Sequence, residues 1–152
     1  MIFAADLIRH LPVVMRIHLL GISSYGRAAT RSQGPGRLGA PTQSFAGHNI
    51  LLVDDVLDSG RTLRATCELF RAAGARQVRT CVLLCKPITR RAAGGLARTD
   101  YTGFDIPDEF VVGYGLDYDD YYRNLADIVV LDSTAMTGQD KAISGAMDEP
   151  DG

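Results

Sequence analysis

The chain has no tryptophan, only three cysteines and no surplus of basic residues, since 16 Lys and Arg stand against 18 Asp and Glu. Proteins that bind nucleic acid or a membrane surface usually carry a basic face. The formal net charge of −2 therefore indicates neither partner, although arginines cluster between Arg27 and Arg37. No apolar run approaches the ~20 residues that cross a bilayer, and the first residues lack the basic start and cleavage site of a signal peptide. We expect a cytoplasmic protein.

The cysteines are odd in number and form no Cys-x-x-Cys pair. Cys81 and Cys85 flank an apolar run, where small buried thiols are common, and Cys67 stands alone in the sequence. This spacing argues against a disulfide framework or a zinc site. It predicts reduced cysteines in a core.

The apolar fraction of 46% and the charged fraction of 22% are typical of a globular protein. Apolar positions over residues 2–8 predict a short helix with a buried face, which Pro12 ends. Branched apolar residues alternate over Val13–Ser23 and predict a strand. Over Gly26–Gly47 glycine and proline are frequent and no periodic pattern is present, which is typical of a functional lid or a disordered loop.

The middle of the chain predicts a parallel β-α-β unit. Asn49–Val53 is a continuous apolar run, typical of a strand that is buried on both faces. Residues 54–60 read as a polar turn, and a helix is predicted over Arg61–Ala73, with Gly74 at its end. Val78–Leu84 is a second buried strand. Further short strands are predicted near Tyr101–Phe104, Phe110–Val112 and Ile128–Leu131.

The segment between the first buried strand and the following helix carries the chemistry. Asp54 and Asp55 place two carboxylates at the edge where open α/β sheets bind ligands. The turn then enters a helix whose amino end favours an anion, and Gly60 lets the backbone approach that anion closely. The pattern fits a sugar phosphate, with the acids on ribose hydroxyls or on Mg²⁺. An acidic turn with Asp58 or Ser59 as N-cap is an equally good interpretation of the spacing.

A pair of acids after a strand also occurs in response regulators and magnesium-dependent phosphotransferases, while the Gly-Lys-Ser/Thr of a Walker loop is absent. The longer stretch Val53–Thr62 resembles the phosphoribosyl pyrophosphate (PRPP) motif of the type I phosphoribosyltransferases. Ser23–Gly26 resembles the start of the mobile active-site loop of the hypoxanthine-guanine enzymes. Tyr101–Tyr118 and Tyr122–Leu125 are similar to the purine-binding region of that family. The chain is thus identified as a member of the hypoxanthine(-guanine) phosphoribosyltransferases.

The resemblance implies an α/β protein with the type I phosphoribosyltransferase fold, a mostly parallel twisted sheet flanked by helices. It implies one domain over residues 1–132 with a mobile active-site loop over 26–47, and we expect a disordered tail over 133–152. Family members carry a helix, a strand and a pyrophosphate-binding loop before the segment that matches Met1, so we expect these to be missing here. A misplaced start, a truncated gene or a non-catalytic binder would each explain this, and we favour a misplaced start.

By the same resemblance, the implied reaction belongs to purine salvage. It transfers 5-phosphoribosyl from PRPP to hypoxanthine or guanine, and it gives IMP or GMP and pyrophosphate. The implied catalytic base is Asp58. PRPP and its 5-phosphate are assigned to Asp54, Asp55, Asp58, Ser59, Gly60, Arg61 and Thr62. The purine is assigned to Lys86, Phe110, Val111 and Asp117, the mobile loop to Ser24 and Tyr25, the pyrophosphate to Arg123, and Mg²⁺ to Asp117, Asp54 and Asp55.

Several of these residues have plainer interpretations without the resemblance. Lys86 after an apolar strand is typical of a snorkelling surface lysine, Phe110 of a core strand, and Asp117 and Arg123 of surface charges. A non-catalytic PRPP- or nucleotide-binding regulator of the same fold is the alternative function. The preference among hypoxanthine, guanine and xanthine stays open. The expected partners are small-molecule substrates and further copies of the chain, as a homodimer or homotetramer, with neither nucleic acid nor membrane.

Overall fold

A computed structural model of the chain describes residues 2–20 and 44–131. These residues form two compact units, one of residues 4–20 and 44–107 and the other of residues 2–3 and 108–131. The predictions for Ser24, Tyr25, most of the mobile loop and the tail over 133–152 lie outside the described residues. They stay predictions, as does a single domain over 1–132. Within the described ranges, the helices are too short or too polar to cross a bilayer.

The larger unit contains a three-stranded parallel sheet. Strand β1 spans Asn49–Leu57, helix α2 spans Arg61–Ala72, strand β2 spans Gln77–Cys85 and strand β3 spans Tyr101–Asp105. The strand order is β1-β2-β3, and both pairings are parallel. A short 3₁₀ turn, Ile88–Arg90, follows β2. The predicted β-α-β unit and the α/β class are confirmed.

The burial of β2 and α2 explains why these segments take these conformations. Cys81 to Leu84 are all buried, as expected for a central strand with apolar residues on both faces. Helix α2 buries Leu63, Cys67 and Phe70, whose spacing of four and three residues puts them on one face. The core cluster of this unit consists of Leu52, Leu57, Leu63, Cys67, Phe70, Val78 and Val82. All three cysteines are free, as predicted.

Two strand predictions need correction. β1 continues through Asp54 and Asp55 to Leu57, so the polar turn begins at Asp58 and not at Asp54. The cause is the parallel ladder with β2, in which Asp54 pairs with Val82 and keeps the backbone extended. The described part of Val13–Ser23, residues 13–20, is not a strand. Backbone hydrogen bonds to a neighbouring strand define a strand, and an apolar alternation alone does not supply that neighbour.

The first helix, α1 (Ile2–Arg9), has the predicted position but not the predicted burial. None of its residues is buried, and Ile2 is 40% exposed. The apolar periodicity correctly indicated a helix. Burial depends on what packs against the helix, and that is not contained in its own sequence.

The smaller unit contains a two-stranded antiparallel sheet. Strand β4 spans Val111–Val112 and strand β5 spans Val129–Val130, which agrees with the predicted short strands. Val112 is fully buried and Leu116 nearly so. The backbone between them turns back at Gly113, whose φ of 92° is favoured by glycine.

Candidate active site

A cavity of about 340 Å³ lies at the carboxyl end of β1 in the larger unit. It is lined by Leu20, Asp54, Asp55, Val56, Leu57, Asp58, Ser59, Gly60, Thr62 and Leu63. Six of the seven residues assigned to PRPP and its 5-phosphate thus surround one open space, while Arg61 is exposed and is not among the lining residues. Leu20 is an apolar contribution that the sequence pattern did not indicate.

Gly60 occupies the N-cap of α2 in a conformation that demands glycine. Its φ of 74° lies in the left-handed region. A Cβ at this position would lie 2.7 Å from Leu96 N and still closer to Leu96 O. The Leu96 N–H also donates a hydrogen bond of 2.9 Å to Gly60 O. The turn is therefore packed against the backbone of the segment that follows Lys86.

The amino end of α2 borders the cavity, since Gly60, Thr62 and Leu63 are among the residues that line it. The first helical hydrogen bond runs from Arg64 N to Gly60 O at 3.1 Å. The N–H groups of the three preceding helical residues have no earlier helical carbonyl to bond. The cap makes no side-chain hydrogen bond, and Ser59 Oγ is 3.5 Å from Arg61 N. The N-cap is Gly60, so the interpretation of Asp58 or Ser59 as N-cap is wrong.

The two strand acids differ in their electrostatics. Burial, with the neighbouring charge of Asp55 as a smaller cause, raises the pKa of Asp54 to about 6. Asp54 Oδ1 accepts a hydrogen bond of 3.0 Å from Asp55 N, and Asp55 Oδ1 accepts one of 2.8 Å from Val56 N. A perturbed carboxyl in a cleft is a common property of binding and catalytic sites.

Asp58, the implied catalytic base, forms an ion pair with Arg90. Arg90 Nε and Nη2 donate hydrogen bonds of 3.0 and 3.3 Å to the two carboxylate oxygens. This hydrogen bonding holds the pKa of Asp58 below its usual value, and the nearby positive charge of Lys86 adds to the effect. Sequence reasoning missed Arg90, because it lies in a segment that only its arginine, alanine and glycine content characterised.

Lys86, the residue assigned to the purine, follows immediately after β2. In the parallel register Leu57 pairs with Cys85, so Asp58 and Lys86 leave neighbouring strands at the same level. The Lys86 N–H donates a hydrogen bond of 3.0 Å to Leu57 O, and the residue is half-buried. The structure therefore brings these two predicted site residues together.

The segment after Lys86 folds back onto the turn at the end of β1. Ala92 N–H donates a 3.0 Å hydrogen bond to Ser59 O. A Cβ on Gly95 would collide with that same oxygen, so close packing requires glycine there. Arg91 adds side-chain hydrogen bonds to the same region. The sequence signal for this approach is Gly95, since its neighbour Gly94 has open space where a Cβ would lie.

The smaller unit holds the other predicted site residues that the structure describes. Phe110 is 40% exposed and packs edge-on against Tyr118 at 5.6 Å, so its interpretation as a core strand residue is wrong. Val111 lies in β4 and pairs with Val130.

Asp117 and Arg123 form an ion pair of 2.9 Å in this unit. Arg123 also donates to Gly115 O at 3.0 Å and to Asp120 at 2.9 Å. It therefore holds a turn and is not an isolated surface charge. Among the described residues, no group of three or more His, Cys, Asp or Glu side chains could hold a metal by itself.

Comparison with known proteins agrees with this geometry. The family described as "Phosphoribosyl transferase domain" matches residues 1–119. The chain is 41% identical over 129 residues to the hypoxanthine-guanine phosphoribosyltransferase of Bacillus subtilis, covering 85% of this chain and 70% of that protein. It is 42% identical over 132 residues to the Mycobacterium tuberculosis protein of the same name. This second match covers 86% of the present chain but only 63% of the mycobacterial protein.

Solved structures give the same result. A hypoxanthine phosphoribosyltransferase of Trypanosoma cruzi, in complex with the product IMP, has a TM-score of 0.74 at 38% identity, covering 88% of this chain and 70% of that one. The Staphylococcus aureus protein has a TM-score of 0.71 at 36% identity, covering 88% and 72%. The fold is thus the type I phosphoribosyltransferase fold, and the chain belongs to the phosphoribosyl transferase family and, within it, to the hypoxanthine-guanine phosphoribosyltransferases.

Proposed function

We propose that this chain catalyses a step of purine salvage, the transfer of the 5-phosphoribosyl group from PRPP to hypoxanthine or guanine. The bond between the anomeric carbon and pyrophosphate breaks, and a bond to a purine nitrogen forms. The products are IMP or GMP and pyrophosphate. The observation that carries the proposal is the turn Asp58–Gly60, which lines a cavity between two strand acids and the open amino end of α2.

The phosphate of the sugar is assigned to this turn. Backbone N–H groups at a helix amino end, together with the helix dipole, attract an anion without a lysine. The hydroxyls of Ser59 and Thr62 supply further donors beside the same cavity. A sugar held by its phosphate here extends toward Asp54 and Asp55, which accept hydrogen bonds from ribose hydroxyls.

Asp58 is assigned the role of base at the imidazole nitrogen of the purine. The Arg90 ion pair keeps its carboxylate ionised at neutral pH, so it is ready to accept a proton or to offset positive charge on the base. Its low pKa makes it a weak base in water, and its contribution therefore depends on position. The open cavity beside Asp58 is where the purine would have to lie.

Lys86 is assigned to the six-position oxygen of the purine. An ammonium group donates and cannot accept, so it matches a carbonyl oxygen and rejects the amine of adenine. Its placement beside Asp58 at the ends of paired strands supports one base-binding region for both residues. Phe110 and Val111 are assigned to the base as well, and Arg123 to the pyrophosphate, on the strength of the family pattern.

Mg²⁺ is the proposed cofactor, with PRPP as the source of its remaining ligands. Mg²⁺ usually binds one or two carboxylates together with waters and substrate oxygens, so Asp54 and Asp55 fit it without a complete protein site. The ion would neutralise charge on the pyrophosphate group that leaves. Asp117 is assigned to Mg²⁺ near the pyrophosphate, on the strength of the family pattern.

We propose that the chain acts in the cytoplasm, as a homodimer or homotetramer.

The test is nucleotide synthesis by the purified chain with PRPP, Mg²⁺ and labelled hypoxanthine. Asp58→Asn should lower kcat by about 10²–10⁴-fold, the usual range for a positioned base. PRPP binding by that variant, measured by calorimetry, should stay close to the wild-type value. Glu68→Gln is the matched control, because Glu68 is an exposed carboxylate that pairs with an arginine, Arg64, and does not line the cavity. If the wild-type chain binds PRPP but forms no nucleotide, the proposed enzymatic function is refuted and the alternative, a non-catalytic PRPP-binding regulator, is supported.

A further inference from the structure

The guanidinium of Arg91 joins the ends of β1 and β2 through their backbones. Nη1 donates hydrogen bonds of 2.6 Å to Asp58 O and 3.2 Å to Leu57 O. Nη2 donates to Lys86 O at 3.0 Å and to Cys85 Sγ at 3.1 Å. One half-buried side chain thus holds the residues that end both strands and begin both functional segments.

Arg91 has further bonds that fix its own position. Nε donates to Ala97 O at 3.2 Å, and Nη1 also lies 3.4 Å from Pro87 O. Carbonyl groups at the ends of parallel strands need donors once the ladder stops. A planar guanidinium with five donors in a rigid fork satisfies several of them at once, whereas an ammonium group on a flexible stem does not.

Arg90 and Arg91 contact different groups of Asp58. Arg90 contacts the carboxylate, while Arg91 contacts the carbonyl of the same residue. Arg91 is not among the residues that line the cavity beside β1. Its influence on a ligand there therefore passes through the backbone of Asp58 and Lys86.

We propose that Arg91 is a positioning residue that sets the spacing between the phosphate-binding turn at Asp58 and the purine-reading Lys86. The inference rests on the proposed function, because it needs both ends of one nucleotide to be held at these two segments. The affinity for a purine mononucleotide depends on this spacing, because the nucleotide contacts both segments at the same time. Ribose 5-phosphate contacts only the phosphate-binding turn, so its affinity does not depend on the spacing.

The experiment compares the binding of IMP and of ribose 5-phosphate by calorimetry. The variants are Arg91→Met, which keeps an unbranched stem but has no hydrogen-bond donor, and Arg91→Lys, which keeps the charge. Arg98→Met is the matched control, because Arg98 is an exposed arginine in the same segment. Unfolding midpoints in urea establish which variants are folded.

We expect Arg91→Met to weaken IMP binding by about tenfold or more, because displacements near 1 Å have large effects on aligned groups. Ribose 5-phosphate binding should change by less than about twofold, since one hydrogen-bonded end is enough for it. Arg91→Lys should show the same preferential loss, to a smaller extent. kcat at saturating substrates should fall together with IMP affinity, and Arg98→Met should match the wild type in every measurement.

The outcomes separate the two proposals. If wild-type chain binds neither ligand, the proposed function fails and the positioning role fails with it. If the wild type binds IMP but Arg91→Lys leaves the ratio of the two affinities unchanged, Arg91 has no positioning role and the proposed function stands. Arg91→Lys keeps the positive charge and most of the length, so we expect it to fold. The ratio of the two affinities can therefore be measured on Arg91→Lys even if Arg91→Met does not fold.

Discussion

Replacement of Gly60 by alanine is the sharpest structural test of the phosphate-binding turn. The left-handed φ of 74° costs an L-residue about 1–2 kcal/mol. The new Cβ would also press against the backbone N and O of Leu96, where no flexible side-chain end can move away. Forcing that shift costs about 1–3 kcal/mol, and weakening the hydrogen bond from Leu96 N to Gly60 O costs about 1 kcal/mol.

Gly94 provides a matched control for the same change. Its φ is also 74°, but a Cβ there meets nothing within 4 Å. Gly94→Ala therefore carries the backbone strain without the collision, and both variants gain alike from a less flexible unfolded chain. We expect Gly60→Ala to lower the free energy of unfolding by about 2–4 kcal/mol more than Gly94→Ala, the sum of the collision and hydrogen-bond costs.

The assay is urea denaturation of the wild type and both variants, followed by calorimetry with ribose 5-phosphate. Gly60→Ala should also weaken ribose 5-phosphate binding, because relief of the collision moves the first turn of α2 away from its anion-binding geometry. Gly94→Ala should bind as the wild type does. Equal destabilisation by the two variants would refute the claim that close packing against Leu96 shapes the turn.

Three further predictions concern individual charges. Lys86→Met should lower kcat/KM for hypoxanthine by about 10–100-fold in steady-state assays, the value of a charged hydrogen bond; an unchanged kcat/KM would remove Lys86 from the base site. Arg90→Gln should raise the pKa of Asp58, because its largest cause of depression is lost, so the acid limb of the pH profile of kcat/KM should move to higher pH. Thr80 donates hydrogen bonds of 2.8 and 2.9 Å to Asp100 and holds its pKa below the ordinary 3.8. This stabilisation is present above pH 3.8 and is lost as pH falls through the lower folded value, so Asp100→Asn should lose that acid-dependent part of stability in urea titrations at several pH values.

The sequence by itself determined the elements whose signal is local. The apolar run in β1 and the four-and-three spacing of Leu63, Cys67 and Phe70 predicted a strand and a helix, and both are present. The motif Val53–Thr62 predicted the family, and six of the seven residues assigned to PRPP line the cavity. These succeed because strand burial, helix periodicity and a glycine turn are each encoded within a few neighbouring residues.

The tertiary structure decided whatever depends on a neighbour distant in sequence. Pairing with β2 extended β1 through Asp54 and Asp55, and residues 13–20 form no strand despite their alternation. Arg90 and Arg91 took roles at Asp58 only because the segment after β2 folds back across more than thirty residues of chain. Contacts of this kind form only when the fold brings together two segments that are distant in sequence. A local sequence pattern does not show which distant segments will meet.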